Sequence, residues 1–225
     1  MPWLPYLHKL SECDTWISFD DVPMESSGFE NRQLILGPAG TAQWLTVPVK
    51  RGRDLKIRDV LICQDQNWRR KHWRSIELAY GKASQWSQHS DFLRWLYEQE
   101  WQRLVDLNEA ILNYLALKFE LRATRLKLSD MDLTTHKSQL VLDAVKRAGG
   151  WHYLFGAMGE DYADLAAFKA AGVEVWIQKY EAKEYPQMRP NVFWPNLWAF
   201  DLLLNVELEQ ARDIMRAGGT VKRLG

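Results

Sequence analysis

The residues best suited to chemistry lie between Trp68 and Arg74, where Arg69, Arg70, Lys71 and Arg74 surround His72. Asn67 and the apolar spacing after it predict a helix from there to about Tyr80. Cations at a helix N-terminus oppose the macrodipole. A bound phosphate, sulfate or carboxylate would reverse that penalty, because free backbone N–H groups and the cations would face it together. A solvated basic face, with Arg74 paired to Glu77, fits the same residues. His72 shares the apolar face of Trp68 and Ile76. A half-buried imidazole beside cations has its proton affinity lowered, which suits a neutral general base. A core-edge histidine held by a backbone carbonyl would have the same spacing.

Two carboxylate settings stand apart from that segment. Asp20 and Asp21 end a predicted strand, where open α/β sheets place ligands. Neighbouring strand residues point to opposite faces, so the pair forms no automatic metal site. One carboxylate could accept hydrogen bonds from sugar hydroxyls or an amine, and Asp-Asp equally caps turns. Asp201 and Asn205 lie one helical turn apart in a segment otherwise made of Leu197, Trp198, Ala199, Phe200 and Leu202 to Leu204. A helix apolar all round is buried, so its carboxylate must be paired. It either lines a pocket or ties the helix to Arg32 or another basic partner.

The remaining candidates are weaker. Gly156 to Gly159 fits neither GxGxxG nor GxxxxGK[ST], and Glu160 and Asp161 would repel phosphate. A tight turn that lets substrate approach the backbone is the better reading. The 12 tryptophans could stack on sugars or bases, although most should be core. The five histidines form no HExxH or other close pair, so no metal is expected, and no cofactor signature is present.

The elements that must position these residues follow from periodicity. Thr15–Phe19 reads as a strand, and Asn31–Leu36 with Ala42–Val49 as a hairpin around Gly37-Pro38-Ala39-Gly40. One long helix is predicted from about Ser90 to Phe119. Leu126 and Leu128 suggest another strand. Then come helix Ser138–Ala148, strand Trp151–Phe155, helix Glu160–Ala171 and strand Val173–Gln178, an order that favours parallel pairing with crossover helices. Helices from about Leu197 to Asn205 and Glu207 to Ala217 close the chain. The predicted fold is α/β, a mainly parallel sheet with crossover helices, an N-terminal hairpin and a helical insertion, in a single domain over 1–225.

Composition narrows the function classes. Lys+Arg and Asp+Glu both total 29, so no global charge draws the chain to nucleic acid or an anionic membrane. Cys13 and Cys63 can build neither a disulfide framework nor a CxxC zinc site. The opening Met1-Pro2-Trp3-Leu4-Pro5 lacks a signal-peptide run, and no stretch nears the roughly 20 apolar residues a membrane span needs. A soluble cytoplasmic protein is the expectation, without membrane insertion or a nucleic-acid partner.

The order of motifs resembles the WbqC-like family, often encoded in bacterial surface-polysaccharide gene clusters. The resemblance rests on Pro2-Trp3-Leu4-Pro5, Asp20-Asp21-Val22, Asn31-Arg32, Trp44 to Lys50, Trp68 to His72 with Tyr80, Tyr185-Pro186-Gln187 and Asp201 to Asn205. It covers nearly the whole chain. Family members usually carry an apolar strand and a Gln before the P-x-L-P segment, at which this chain starts. Their Y-L-S-G-P-G loop becomes Tyr153-Leu154-Phe155-Gly156-Ala157-Met158-Gly159, without the Ser. The resemblance implies modification of a sugar or amino-sugar precursor, most plausibly by an acyl or aminoacyl transferase with a phosphate-bearing donor or acceptor. In that scheme His72 is the base and Asp21 orients the acceptor. Arg69 and Arg70 grip a diphosphate or the phosphopantetheine of a carrier protein. Asn31 and Arg32 shape the pocket with Asp20 and Tyr80. Gly156, Tyr162, Gln187, Asp201 and Asn205 complete the substrate-binding set. A non-catalytic carbohydrate-binding or accessory subunit is the alternative. A single-stranded nucleic-acid binder comes third, disfavoured by the neutral charge.

Overall fold

The computed structural model describes residues 2–25, 28–64, 67–157, 159, 163–188 and 192–224. Among them are eight α-helices and seven strands. Helix α1 (Leu4–Ser11) starts with a proline in its first turn, where the missing N–H costs nothing. That proline is Pro5, and Pro2 lies ahead of the N-cap residue Trp3. Strand β1 (Thr15–Ser18) follows, then the hairpin β2 (Arg32–Leu36) and β3 (Ala42–Thr46), antiparallel as its turn sequence predicts.

Helix α2 (Trp68–Tyr80) starts after Asn67, although the Asn67 side chain makes no cap hydrogen bond. The predicted long helix is two, α3 (Trp86–Glu98) and α4 (Leu104–Lys118). The break is tertiary in origin. Ile62 N–H donates to the Gln102 carbonyl and Leu104 N–H to the Val60 carbonyl, pulling the intervening chain into extended form. Strand β4 (Thr124–Lys127), helix α5 (Lys137–Arg147), strand β5 (His152–Phe155), helix α6 (Leu165–Ala170) and strand β6 (Glu174–Tyr180) form the alternating half. Helices α7 (Ala199–Asn205) and α8 (Leu208–Ala217) lead into β7 (Gly219–Leu224), a strand that periodicity does not predict.

The sheets correct one expectation. Strands β5 and β6 pair in parallel as expected, and β1 pairs β4 in parallel, but β7 adds to β6 antiparallel and the hairpin stands alone. The result is a mixed α/β fold of three small sheets, not one mainly parallel sheet. A cavity separates the two parallel pairs. The main core packs α1–α4, α7 and α8 around the hairpin, and a second packs α5, α6, β5 and β6. A smaller cluster joins α5 to β1 and β4.

Candidate functional site

A cavity of about 870 Å³ opens between β1 and β5. Helix α1 supplies Tyr6, Lys9 and Leu10 to its wall by helical spacing, and α4 adds Asn108 and Leu112. That volume lies in the range of sites for drug-sized ligands. Burial lowers the pKa of Lys9, whose Nζ lies 5.9 Å from the Tyr153 ring centroid. Burial raises that of Cys13, so this lining thiol is not activated as a nucleophile.

The rim is aromatic. Trp3 and Phe29 line the cavity and stack at 5.7 Å with the rings 8° from parallel, and Trp44, 5.8 Å beyond Phe29, lies with Arg32 just outside the lining. Phe29 and Trp44 are about half exposed. The Arg32 guanidinium sits 4.7 Å from the Trp44 ring centroid, a cation–π contact that orients both groups. Behind them, Glu30 Oε2 and Asn108 Oδ1 are buried without a hydrogen-bond partner among the described residues, as is Trp176 Nε1 in the far wall. These three atoms are sealed from water, so a ligand in the cavity would reach them only if their side chains turned toward it. Apart from Arg32, sequence reasoning missed these residues. The abundance of tryptophan was the available signal, but spacing cannot tell a rim residue from a core one.

The expected site residues fall into separate groups. Tyr80, Gln187, Asp201 and Asn205 do converge, in a buried network. The fully buried Asp201 carboxylate accepts from the Tyr80 hydroxyl (2.8 Å), the Tyr185 hydroxyl (2.8 Å) and Gln187 Nε2 (3.0 Å), while Asn205 Nδ2 donates to the Asp201 carbonyl (2.7 Å). Arg32 is not among those carboxylate donors. Burial lifts the Asp201 pKa to about 6 against the lowering effect of the three hydrogen bonds. The network ties α7 to α2 and to the segment around Gln187, and none of its residues lines the cavity.

His72 is buried, with Nε2 3.2 Å from the Thr46 carbonyl and its ring edge-on to Trp68 and Tyr97. Facing a carbonyl, Nε2 carries the proton, leaving Nδ1 unprotonated and buried without a partner among the described residues. Burial depresses its pKa to about 4. It is the neutral imidazole that the spacing suggested, yet it does not open into the cavity. Arg69 donates to the Gln99 carbonyl (2.7 Å) and to Glu100 (3.2 Å), whereas Arg70 is exposed. Arg74 pairs with Glu77 at 3.9 Å.

Asp20 and Asp21 lie in the turn after β1, not on the strand itself, and reach different partners. Asp20 accepts from the Ser129 N–H and hydroxyl, and Asp21 bridges Lys56 and Arg58, both at 2.8 Å. Buried Asn31 donates to the Val47 carbonyl and closes the hairpin end. Gly156 leads out of β5, and a methyl group added there would meet nothing within 4 Å. Tyr162 lies outside the described residues. Among the described residues, no group of three or more His, Cys, Asp or Glu could hold a metal ion, and no helix is long and apolar enough to cross a membrane.

Comparison with known proteins agrees with the motif order. Uncharacterized protein Rv1507c of Mycobacterium tuberculosis (strain ATCC 25618 / H37Rv) is 31% identical over 221 residues, covering 96% of this chain and 94% of the relative. No solved structure matches. A family match spans residues 1–213, and the chain belongs to the WbqC-like protein family.

Proposed function

We propose that this protein binds a sugar or amino-sugar precursor at the aromatic rim of the cavity and modifies it by acyl or aminoacyl transfer. The observation that carries this reading is the pairing of stacking faces with unsatisfied polar groups. Phe29 and Trp44 offer exposed rings to the apolar face of a pyranose, and Glu30 and Asn108, which line the cavity, would offer acceptors to hydroxyl or amine hydrogens once their buried oxygens turn toward it. In this scheme Glu30 is the acceptor-side base, because one of its oxygens has no partner among the described residues. A phosphate-bearing donor would find the exposed Arg70 and Lys71 before Arg69, which is engaged by Gln99 and Glu100.

A second reading, carbohydrate binding without catalysis, has its own support. Of the two residues expected to carry chemistry, His72 lies outside the cavity lining with Nε2 on the Thr46 carbonyl, and Asp21 is held by Lys56 and Arg58.

Calorimetric titration with hexoses, 2-amino-hexoses and their nucleotide-diphosphate forms tests both. Binding of at least one compound is expected, weakened about three- to tenfold by Trp44→Ala or Phe29→Ala, the scale of one aromatic contact. If no compound binds, or both variants bind unchanged, the rim is not a sugar site. Turnover assays then separate the readings: turnover lost in Glu30→Gln with binding retained marks transfer with Glu30 as base, unchanged turnover rules out that role, and no turnover by the parent leaves binding alone.

A further inference from the structure

We infer that the outward face of α2, formed by Arg70, Lys71, Arg74 and Leu78 with Lys82 just past its end, docks on an anionic lipid surface. This does not rest on the sugar reading, since none of the five residues lines the cavity. At about 3.6 residues per turn, the first four side chains fall within an arc of about 100°. That arc lies opposite the buried face of His72, Ile76 and Ala79. All five residues are exposed, and from Arg70 to Lys82 they run along about 18 Å.

The chain as a whole carries no net charge, but residues 68–82 hold Arg69, Arg70, Lys71, Arg74 and Lys82 against Glu77 alone. Arg69 is spent on the Gln99 carbonyl and Glu100, and Arg74 meets Glu77 only at 3.9 Å. The side chains of Arg70, Lys71 and Lys82 have no ionic or hydrogen-bonded partner among the described residues. Arg70 and Lys71 also stand in the first turn of α2, where the macrodipole disfavours cations. A negatively charged surface laid along this face offsets that penalty. It also adds attraction, about fivefold in partitioning for each cation near it.

The neighbouring side chains favour a lipid surface over a nucleic acid. Leu78 is 55% exposed in the midst of the cations. The boundary between headgroups and acyl chains accepts an aliphatic side chain, whereas a phosphodiester backbone gains nothing from one. Trp73 borders the stripe on the α3 side, but its ring is engaged by Trp86 at 5.8 Å and by the Arg94 guanidinium at 5.5 Å. It therefore offers no open platform on which a base could stack. Arg94 adds an exposed cation on that side, where the exposed carboxylates of α3 are Asp91 and Glu98. The stripe is the convex outside of one helix rather than a groove, a shape that suits a plane.

The test uses the full chain and sedimentation with vesicles of phosphatidylcholine, alone or with about one-third phosphatidylglycerol. Binding to the anionic vesicles should be at least about tenfold tighter than to the neutral ones, and should weaken steeply as salt rises to about 0.5 M. Arg70→Gln with Lys71→Gln, Arg74→Gln and Lys82→Gln should abolish the difference. Leu78→Ser should weaken anionic binding about threefold or more. Arg70→Lys with Arg74→Lys keeps the charge and should bind as the parent does, which separates lost attraction from lost folding. No binding, equal binding to both vesicles, unchanged binding by the glutamine variant, or loss in the lysine variant would each overturn the proposal. Release by millimolar pyrophosphate beyond that by chloride of equal ionic strength marks a site for free phosphate and would overturn it too. So would tighter binding of a single-stranded oligonucleotide through the same residues.

Discussion

His72 is held neutral by the same burial that hides it from the cavity, and that has a thermodynamic signature. Its pKa falls from 6.5 to about 4 on folding, and burial, helped by Lys118, does the same to His89. A depressed folded pKa contributes stability that is complete above the unfolded value and is lost as pH falls through the folded one. Asp201 runs the other way. Its raised pKa contributes stability that is complete below 3.8 and is lost as pH rises through about 6. Burial lowers His8 as well, so three histidines oppose one aspartate and unfolding free energy should decline between pH 6.5 and 4. The shift of His89, nearer to solvent, is worth less than that of His72, which is worth at most roughly 3 kcal/mol across that window. His72→Gln should flatten the decline by about that amount in urea titrations at stepped pH. An unchanged slope would mean that His72 is protonated in the native state. At this scale the sequence was half legible. The apolar face of His72 and the buried Asp201 were readable from helical periodicity. Their partners, the Thr46 carbonyl and the Tyr80 and Tyr185 hydroxyls, were not, because spacing carries no information about contacts 16 to 121 residues apart.

Among the elements, the hairpin, helices α2, α5 and α8 and the parallel pair β5–β6 were legible, because each has a strong period bounded by turn chemistry. The helix break at residues 99–103 was not, since the local pattern is helical on both sides and only the pairing with Val60 and Ile62 opens it. Strand β7 escaped for a related reason. It exists because α8 delivers Gly219 opposite Tyr180 at the end of β6, a tertiary event. Gly219 is required there by space. A β-carbon would lie 1.9 Å from His8 Nε2, and His8 is pinned by Gln178 at 2.8 Å. Gly219→Ala should therefore force α1 and β7 apart and cost roughly 1–3 kcal/mol, the usual penalty of overpacking. Thermal unfolding followed by circular dichroism checks this. A midpoint within a degree of the parent would mean that α1 shifts without strain.

For the molecule as a whole, the cavity divides two bodies of unequal strength. The larger core draws on six helices and the hairpin, and its members include Leu7, Ile35, Ile76, Leu93, Leu107 and Leu203, none of them exposed. The smaller core rests on eight buried side chains from α5, α6, β5, β6 and their ends, with Phe19 reaching to it from beyond β1. Opening costs more where more apolar surface must be exposed to water, so the smaller body should open first. The helix–strand alternation predicted a mainly parallel sheet, which would have spread cooperativity across the molecule. Among the described residues β1–β4 and β5–β6–β7 are separate sheets with the cavity between them. Native-state hydrogen exchange in low urea should then show two classes of slow amide. Those of α5, α6 and β5 should exchange through a sub-global opening with a smaller denaturant dependence. Those of α2, α4 and α7 should exchange only with global unfolding. A single class covering both bodies would mean that packing through Phe19 and β7 couples them as tightly as a shared strand would. In that case the cavity is an internal pocket of one cooperative unit, not a seam between two.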